Sequence, residues 1–384
     1  MLHRLLPTGT HKIIIVAMSP KQSLRDATGQ AGGVKKKVIV AMSGGVDSSV
    51  ATALLKRAGF NVVGVFMKFW ASPQNRCCSP ESEKRARRVA KIIGIPFYVL
   101  NFKKEFKKRV VDYFLRGYKE GLTPNPCVVC NKEIKFGLLL EKALALGADY
   151  IATGHYARLQ RGKLFRARDR EKDQSYFLWM LNQKQLRHVL FPVGDYTKKE
   201  IRALAKKFKL PFGQVPESME TCFVQTTIND FLSRHIKPKP GRIICAPPGS
   251  AHGVHFPEVH RHRGLAFYTI GQRKGIGLSG GPYWVLGKDQ KKSILIVTKN
   301  EKDLYKKELV CKNVNWISGK EPKLPLKIKA KIRYRHEPAL VVITKNLQSK
   351  IYSLKFEKPQ RAITPGQSVV FYWSGEVLGG GIIM

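Results

Sequence analysis

Short apolar runs alternating with amphipathic stretches set the pattern of the N-terminal half. Val38 to Met42 is a continuous apolar run, Val50 to Ala58 has helical spacing, Val62 to Met67 is a second run, Glu81 to Ile93 is helical again, and Phe97 to Leu100 is a third run. Phe106 to Arg116 and Lys132 to Ala145 continue the helical spacing, and Tyr150 to Thr153 is a short strand ending at Gly154 and His155. Buried strands alternating with helices predict an α/β domain with a parallel sheet, whose ligands bind beyond the carboxyl ends of the strands. Ser43, Met67 and Gly154 fall at such ends, so they are expected to share one pocket. Past about residue 230, Pro238, Pro240, Pro247, Pro248 and Pro257 break the helical pattern and glycines become frequent. From about residue 306 short β-rich stretches take over, including Leu326 to Tyr334, Ala339 to Thr344 and Ser368 to Tyr372, which predict a small β-barrel or sandwich. The expected division is an N-terminal extension (1–34), expected to be disordered, a nucleotide-binding catalytic domain (35–230), a small central domain (231–305) and a C-terminal β-barrel (306–384). Within the extension, Ile15 to Ser19 echoes Ile39 to Ser43, but Pro20 and Lys21 stand where glycines follow the second copy.

Ser43-Gly44-Gly45-Val46-Asp47-Ser48-Ser49 links the first strand to the first helix. Gly44 and Gly45 are expected to adopt positive φ, letting backbone N–H groups turn toward an anion, with the helix N-terminus adding its positive dipole end. Ser43, Ser48 and Ser49 supply hydroxyls, while Asp47 suits Mg²⁺ better than phosphate. No Gly-Lys-Ser/Thr follows, so the lysine by which a Walker loop reaches the β/γ-phosphates is missing. The strand, SGGxDS and helix resemble the pyrophosphatase-type loop of enzymes that split ATP into AMP and pyrophosphate. A serine-capped turn is the simpler alternative; two glycines, an acid and three serines together favour phosphate.

Charge narrows the partner. Lys and Arg total 69 against 27 Asp and Glu, a formal net charge of +42, which calls for a polyanion such as nucleic acid. A generally basic proteome is the competing explanation; a heat-adapted ion-pair network would need matching acids. Lysine-rich stretches such as Lys103 to Arg109 and Lys198 to Lys209 read as solvated helix faces that would attract RNA through counterion release. In His260-Arg261-His262-Arg263, arginines between histidines suit phosphate contact better than metal. No apolar run approaches the ~20 residues of a membrane span. The acid-poor extension fits either a targeting segment or an upstream start codon.

The 7 cysteines are Cys77, Cys78, Cys127, Cys130, Cys222, Cys245 and Cys311, an odd number suggesting a reducing, cytoplasmic compartment. Cys127 and Cys130 form a Cys-x-x-Cys between a proline-stiffened loop and a helix expected to begin near Asn131, a setting that lowers thiol pKa values. Structural zinc needs four ligands, and no second pair follows at finger spacing. Cys245 and Cys311 read as small buried hydrophobes and Cys77-Cys78 as loop thiols.

SGGVDSS at 43–49, GVFM at 64–67, NPCVVCNKEIKFG at 125–137, ATGHYA at 152–157, KDQSYFL at 172–178 and ETCF at 220–223 together resemble the bacterial tRNA-specific 2-thiouridylase family. GLAFYTIGQRKGIG at 264–277, Arg333-Tyr334-Arg335 and TPGQSVVFY at 364–372 extend the resemblance, which runs from about Lys35 to the C-terminus. It implies an ATP-dependent exchange of the wobble uridine O2 for sulfur, by adenylation of the uracil oxygen and transfer from a cysteine persulfide. By the same resemblance Ala41, Met42, Ser43, Gly44, Gly45, Val46, Asp47, Ser48, Met67 and Gly154 bind ATP with Mg²⁺. Cys222 would carry a persulfide received from a sulfur-carrier protein, and Cys130 would be the nucleophile that releases the sulfur, leaving a Cys130–Cys222 disulfide. Asn125, Pro126 and Cys127 would contact the target base, and His155, Lys172, Asp173, Gln174, Arg333, Tyr334 and Gln367 would contact tRNA. Many members have aspartate at the position of Cys127, so Cys127, Cys130 and Cys222 also suit a three-thiolate iron–sulfur cluster with one open iron. Both routes stand open at this point. Another ligase with the same loop, such as a tRNA lysidine synthetase or an amidotransferase-type synthetase, would not need three cysteines, and a non-catalytic RNA-binding protein would need neither Asp47 nor Cys130.

Overall fold

The computed structural model describes residues 35–70, 79–212, 221–224, 226–247, 258–346, 348 and 350–384. The N-terminal extension, Cys77 and Cys78, Glu217 to Glu220, Pro248 and Pro257 lie outside the described residues.

The catalytic domain is built on β1 (Lys37–Ala41), β2 (Asn61–Lys68), β3 (Phe97–Asn101) and β4 (Tyr150–Ala152). After a hairpin of β5 (Ala157–Gln160) and β6 (Lys163–Arg166), β7 (Val189–Leu190) completes the parallel sheet in the order β3-β2-β1-β4-β7. Helices cover both faces, as the continuous apolar runs require. Helix α1 (Val46–Arg57) follows β1, and α2 (Pro80–Ile93) starts at an Ser79 cap that accepts from Ser82 N, has Pro80 in its first turn and stops at Gly94 with φ 70°. Val89, Ala86 and Ala90 form its buried face. One apolar core holds Val38, Val40, Val50, Leu54 and Phe66; the other holds Ile39, Ala41, Val65, Phe106 and Phe114.

The helix expected near Asn131 begins earlier. Asn125 caps α3 (Pro126–Cys130) by accepting from Val128 N, so both cysteines of the Cys-x-x-Cys lie inside helix rather than before it. From Asn131 to Leu138 the turns widen to i→i+5 bonding, and Gln185 donates to the carbonyls of Lys132 and Phe136 on that stretch. A second wide segment spans Lys107–Val111. Later in the chain, α4 (Lys198–Lys207) opens with a reciprocal capping box between Thr197 and Glu200.

The central domain is a sheet of β8 (Gly241–Ala246), β9 (Glu258–His262), β10 (Trp284–Asp289) and β11 (Ile294–Thr298), ordered β10-β11-β8-β9. His262 is buried here, with Nε2 3.1 Å from Ser293 O, so it supports the sheet and does not face RNA as its arginine neighbours suggested.

The C-terminal strands β12 (Tyr305–Trp316), β13 (Leu326–Lys331), β14 (Ala339–Asn346), β15 (Ile351–Arg361), β16 (Ser368–Trp373) and β17 (Glu376–Ile383) close into an antiparallel barrel through the β12–β17 pairing. The β5–β6 hairpin joins this sheet rather than the parallel one: Glu376 pairs with Phe165, and Arg166 N donates to Gly375 O at 2.8 Å. Trp179 Nε1 reaches Ser368 Oγ at 3.0 Å and Tyr176 Oη reaches Ser368 O at 2.8 Å, tying the barrel to the catalytic domain.

Candidate active site

The loop after β1 is held from three sides. Gly44 has φ +76° and sits against the backbone of Ser82, so a Cβ there would collide with the start of α2. Arg85 braces the same turn, donating to Gly44 O at 3.2 Å and Ser82 Oγ at 2.8 Å. Gly154, at the end of β4, is so close to α1 that a Cβ would lie 2.6 Å from Ser48 N. Gly45 departs from expectation: its φ is −92° and ψ 162°, which is extended backbone, and the nearest atom to a Cβ is Ser43 Oγ at 3.4 Å. Gly45 therefore makes no left-handed turn, and a Cβ there would meet Ser43 Oγ in ordinary contact.

The serines divide their labour. Ser48 Oγ donates to Gly45 O at 3.1 Å and accepts from Ser43 N at 3.2 Å, and Ser49 Oγ donates to Gly45 O at 2.9 Å. Both are buried and hold the loop's shape, whereas Ser43 is exposed at its rim. No side chain caps α1. Uncapped N–H groups at the start of a 12-residue helix can receive an anion, which a serine-capped turn could not. Ala41 and Met42 are buried beneath it, Met42 N donating to Val65 O at 2.8 Å, while Val46 and Met67 are half-buried.

Asp47 is already engaged. Lys198 donates from Nζ to both its carboxylate oxygens at 2.7 and 2.8 Å, and Tyr156 Oη donates to Oδ1 at 2.8 Å. Sequence reading placed Lys198 on a solvated face, so it is the residue that reading missed; the available signal was the Thr197–Glu200 capping pattern, which puts Lys198 in the first turn of a helix.

Tyr156 is in turn fixed by Gln174, whose Oε1 accepts from Tyr156 N at 2.9 Å while Gln174 N donates to Tyr156 O at 2.8 Å. Asp173 is buried and turned inward, accepting from Arg166 Nε at 2.8 Å, Ala167 N at 3.0 Å and Ser175 N at 3.2 Å. His155 is buried between the rings of Phe136 and Phe191, with Nδ1 2.7 Å from Thr153 Oγ1; burial, aided by the nearby Lys135 charge, holds its pKa well below the ordinary value. Lys172 remains half-buried. Residues expected at the tRNA surface thus act here largely as internal staples.

Cys127 and Cys130 lie on α3, and Cys222 lies in a separate turn. Cys130 is buried in the core that includes Ala41, and Cys222 packs on that core alongside Met67. Phe223 anchors Cys222 by edge-on contacts with Phe106 at 5.9 Å, Phe114 at 5.2 Å and Phe231 at 5.3 Å. Cys127 is half-buried and outside that core. Among the described residues, no three His, Cys, Asp or Glu side chains are gathered as a metal site.

The loop that presents Asn125, Pro126 and Cys127 is gripped by the barrel. Gln367 Nε2 donates to Thr123 O at 2.7 Å, Thr123 N donates to Pro365 O at 2.9 Å, and Gly366, at φ +89°, leaves no room for a Cβ beside Thr123 N at 2.9 Å. Arg333 Nη2 donates to Ile270 O, Ala362 O and Thr364 Oγ1, joining the central domain to the barrel. Tyr334 is half-buried against Phe177, with ring centroids 4.5 Å apart.

Family models match the chain in three consecutive blocks: a tRNA methyl transferase HUP domain over residues 36–226, a tRNA methyl transferase PRC-barrel domain over 229–299 and an aminomethyltransferase beta-barrel domain over 306–383. The tRNA-specific 2-thiouridylase MnmA 2 of Thermoanaerobacter pseudethanolicus is 45% identical over 367 residues, 91% of this chain and 98% of the relative. That of Moorella thermoacetica is 46% identical over 359 residues, 90% and 98% of the two chains. Among solved structures, the U34-tRNA thiolase NcsA from Methanococcus maripaludis with its 4Fe-4S cluster is similar at 19% identity and a TM-score of 0.36, covering 52% of this chain and 65% of that one. So distant a likeness carries no chemistry across.

Proposed function

The chain belongs to the family of tRNA-specific 2-thiouridylases, and from that premise we propose that it is an ATP-dependent tRNA-uridine 2-sulfurtransferase acting on the wobble uridine. The observation that carries this is the near-full-length likeness to tRNA-specific 2-thiouridylases in a chain whose first block holds both the uncapped loop after β1 and the thiols Cys130 and Cys222.

A uracil carbonyl oxygen is a poor leaving group, so O2 first attacks the α-phosphorus of ATP, the Pα–O–Pβ bond breaks, and pyrophosphate departs. AMP is then the leaving group at C2. The residues from Ala41 to Ser48, with Gly154 behind them, hold the phosphates, and Asp47, whose carboxylate oxygens both accept from Lys198, would hold Mg²⁺ carried in on ATP by exchanging that ammonium for the metal. Cys222 accepts a persulfide from a sulfur-carrier protein. Its terminal sulfur attacks C2 and expels AMP; Cys130 then attacks the Cys222 sulfur, leaving the thione on the uridine and a Cys130–Cys222 disulfide. Two electrons pass from the two thiols to the transferred sulfur, and an external thiol reductant resets the pair. The dithiol route is written here because it needs only Cys130 and Cys222, both of which pack on apolar core. Asn125, Pro126 and Cys127 face the base, Lys172 and Tyr334 meet the tRNA, and His155, Asp173, Gln174, Arg333 and Gln367 act by holding those surfaces.

The test is nucleoside mass spectrometry of unmodified tRNA incubated anaerobically with the protein, ATP, Mg²⁺ and a persulfide donor. We expect 2-thiouridine with matching AMP, lost in Cys130→Ala and Cys222→Ala while tRNA binding persists. AMP without thionucleoside would move the assignment to another ligase of this loop class. Stoichiometric iron that is required for turnover would replace the dithiol route with the cluster.

A further inference from the structure

The phosphate loop carries no lysine of its own, yet one stands beside it, donated from 151 residues away in the chain. We propose that Lys198 is a phosphate-binding residue of this site, supplying to the β- and γ-phosphates of ATP the cation that a Walker loop carries internally. The inference rests on the ATP reading above and adds to it a residue, a ligand moiety and a role.

Its placement is determined by the fold rather than by chance reach. Glu200 accepts from Thr197 N at 2.6 Å and Thr197 Oγ1 accepts from Glu200 N at 3.3 Å, fixing the first turn of α4, and Lys198 N donates to Asp169 Oδ2 at 2.9 Å. From that anchored backbone the side chain crosses to α1, passing 5.8 Å from the centre of the Tyr156 ring. Only 12% of it is exposed. Lys199, Lys206, Lys207 and Lys209 on the same stretch all point to solvent, so Lys198 is set apart.

A half-buried ion pair is weak evidence for stability, because desolvating two charges offsets much of their attraction. It is better explained by a ligand. An unbalanced Asp47 at the mouth of an anion site would repel a triphosphate, and Lys198 cancels that charge. An ammonium acts as a point charge on a flexible stem, so it can turn from the carboxylate toward a phosphate oxygen when ATP enters. When the Pα–O–Pβ bond breaks, the electron pair leaves on pyrophosphate, and a cation already in place at that position stabilises the developing charge.

Calorimetric titration of wild-type protein with ATP, pyrophosphate and AMP, each with Mg²⁺, is the test, alongside Lys198→Met and Lys198→Arg. The expected result is that Lys198→Met loses about tenfold or more in affinity for ATP and pyrophosphate, the worth of one charge-assisted hydrogen bond, with AMP binding unchanged and partial recovery in Lys198→Arg. Equal losses for ATP and AMP would make Lys198 a structural residue, and no loss for either would remove it from the site; both overturn the proposal. Wild-type protein that binds none of the three would overturn the ATP reading as well. If Lys198→Met melts early, Lys198→Gln, which keeps a donor for Asp47, gives the same comparison.

Discussion

His155 is a buried base held neutral between two aromatic rings, and that has a pH signature. Its folded pKa lies below the ordinary 6.5, so below about that pH the unfolded chain takes up a proton that the folded chain refuses. Stability from this residue therefore falls as pH drops through 6.5 and levels off below the folded value. Melting temperatures from pH 8 to 5 should decline more steeply for wild type than for His155→Gln; parallel curves would show that His155 does not couple to folding. Adjacent Gly154 explains why the phosphate loop was legible from sequence: SGGxDS is a local pattern, and its backing glycine lies at a recognisable strand end. Lys198 was not legible, because an ion pair spanning two helices leaves no mark in either helix's own periodicity.

At the scale of elements, the segment carrying Cys222 is anchored by an aromatic residue. Phe223 is 2% exposed and touches three rings, beside a short turn closed by Val224 N donating to Thr221 O at 2.9 Å. Phe223→Leu is expected to slow sulfur transfer by about tenfold to a hundredfold, the cost of misplacing a reacting group by about an ångström, with ATP affinity unaltered. Single-turnover thiolation set against ATP titration separates the two; a loss in both would place Phe223 in general stability instead. The parallel strands and most helices followed from apolar runs and helical spacing. The wide turns at Asn131–Leu138 did not, since i→i+5 bonding depends on Gln185 accepting the role of partner for freed carbonyls from a distant part of the chain.

Across the whole molecule, the barrel reaches the Thr123 loop ahead of α3 through Gln367. If that residue acts by positioning, Gln367→Ala should lower kcat for thiolation about tenfold with tRNA affinity nearly unchanged, by the same misplacement argument. A rise in tRNA Kd with kcat intact would make it a direct RNA contact. Filter binding and steady-state thiolation on the same preparation decide between them. Prolines past about residue 230 and strand spacing past about residue 306 mark changes of character along the sequence, but nothing in it marks the pairing of β6 with β17, because a hairpin does not announce which sheet edge it will complete.

That pairing bears on how such a chain can be cut, spliced or inherited. A fragment ending before the barrel would retain the loop after β1, Cys130 and Cys222, yet it would expose the lone edge of the β5–β6 hairpin and release the strap on Thr123. A stop codon between the second and third blocks therefore unsettles the first block as well, and a barrel borrowed from a relative would serve only if its own β17 edge and its own Pro-Gly-Gln corner matched what the first block presents.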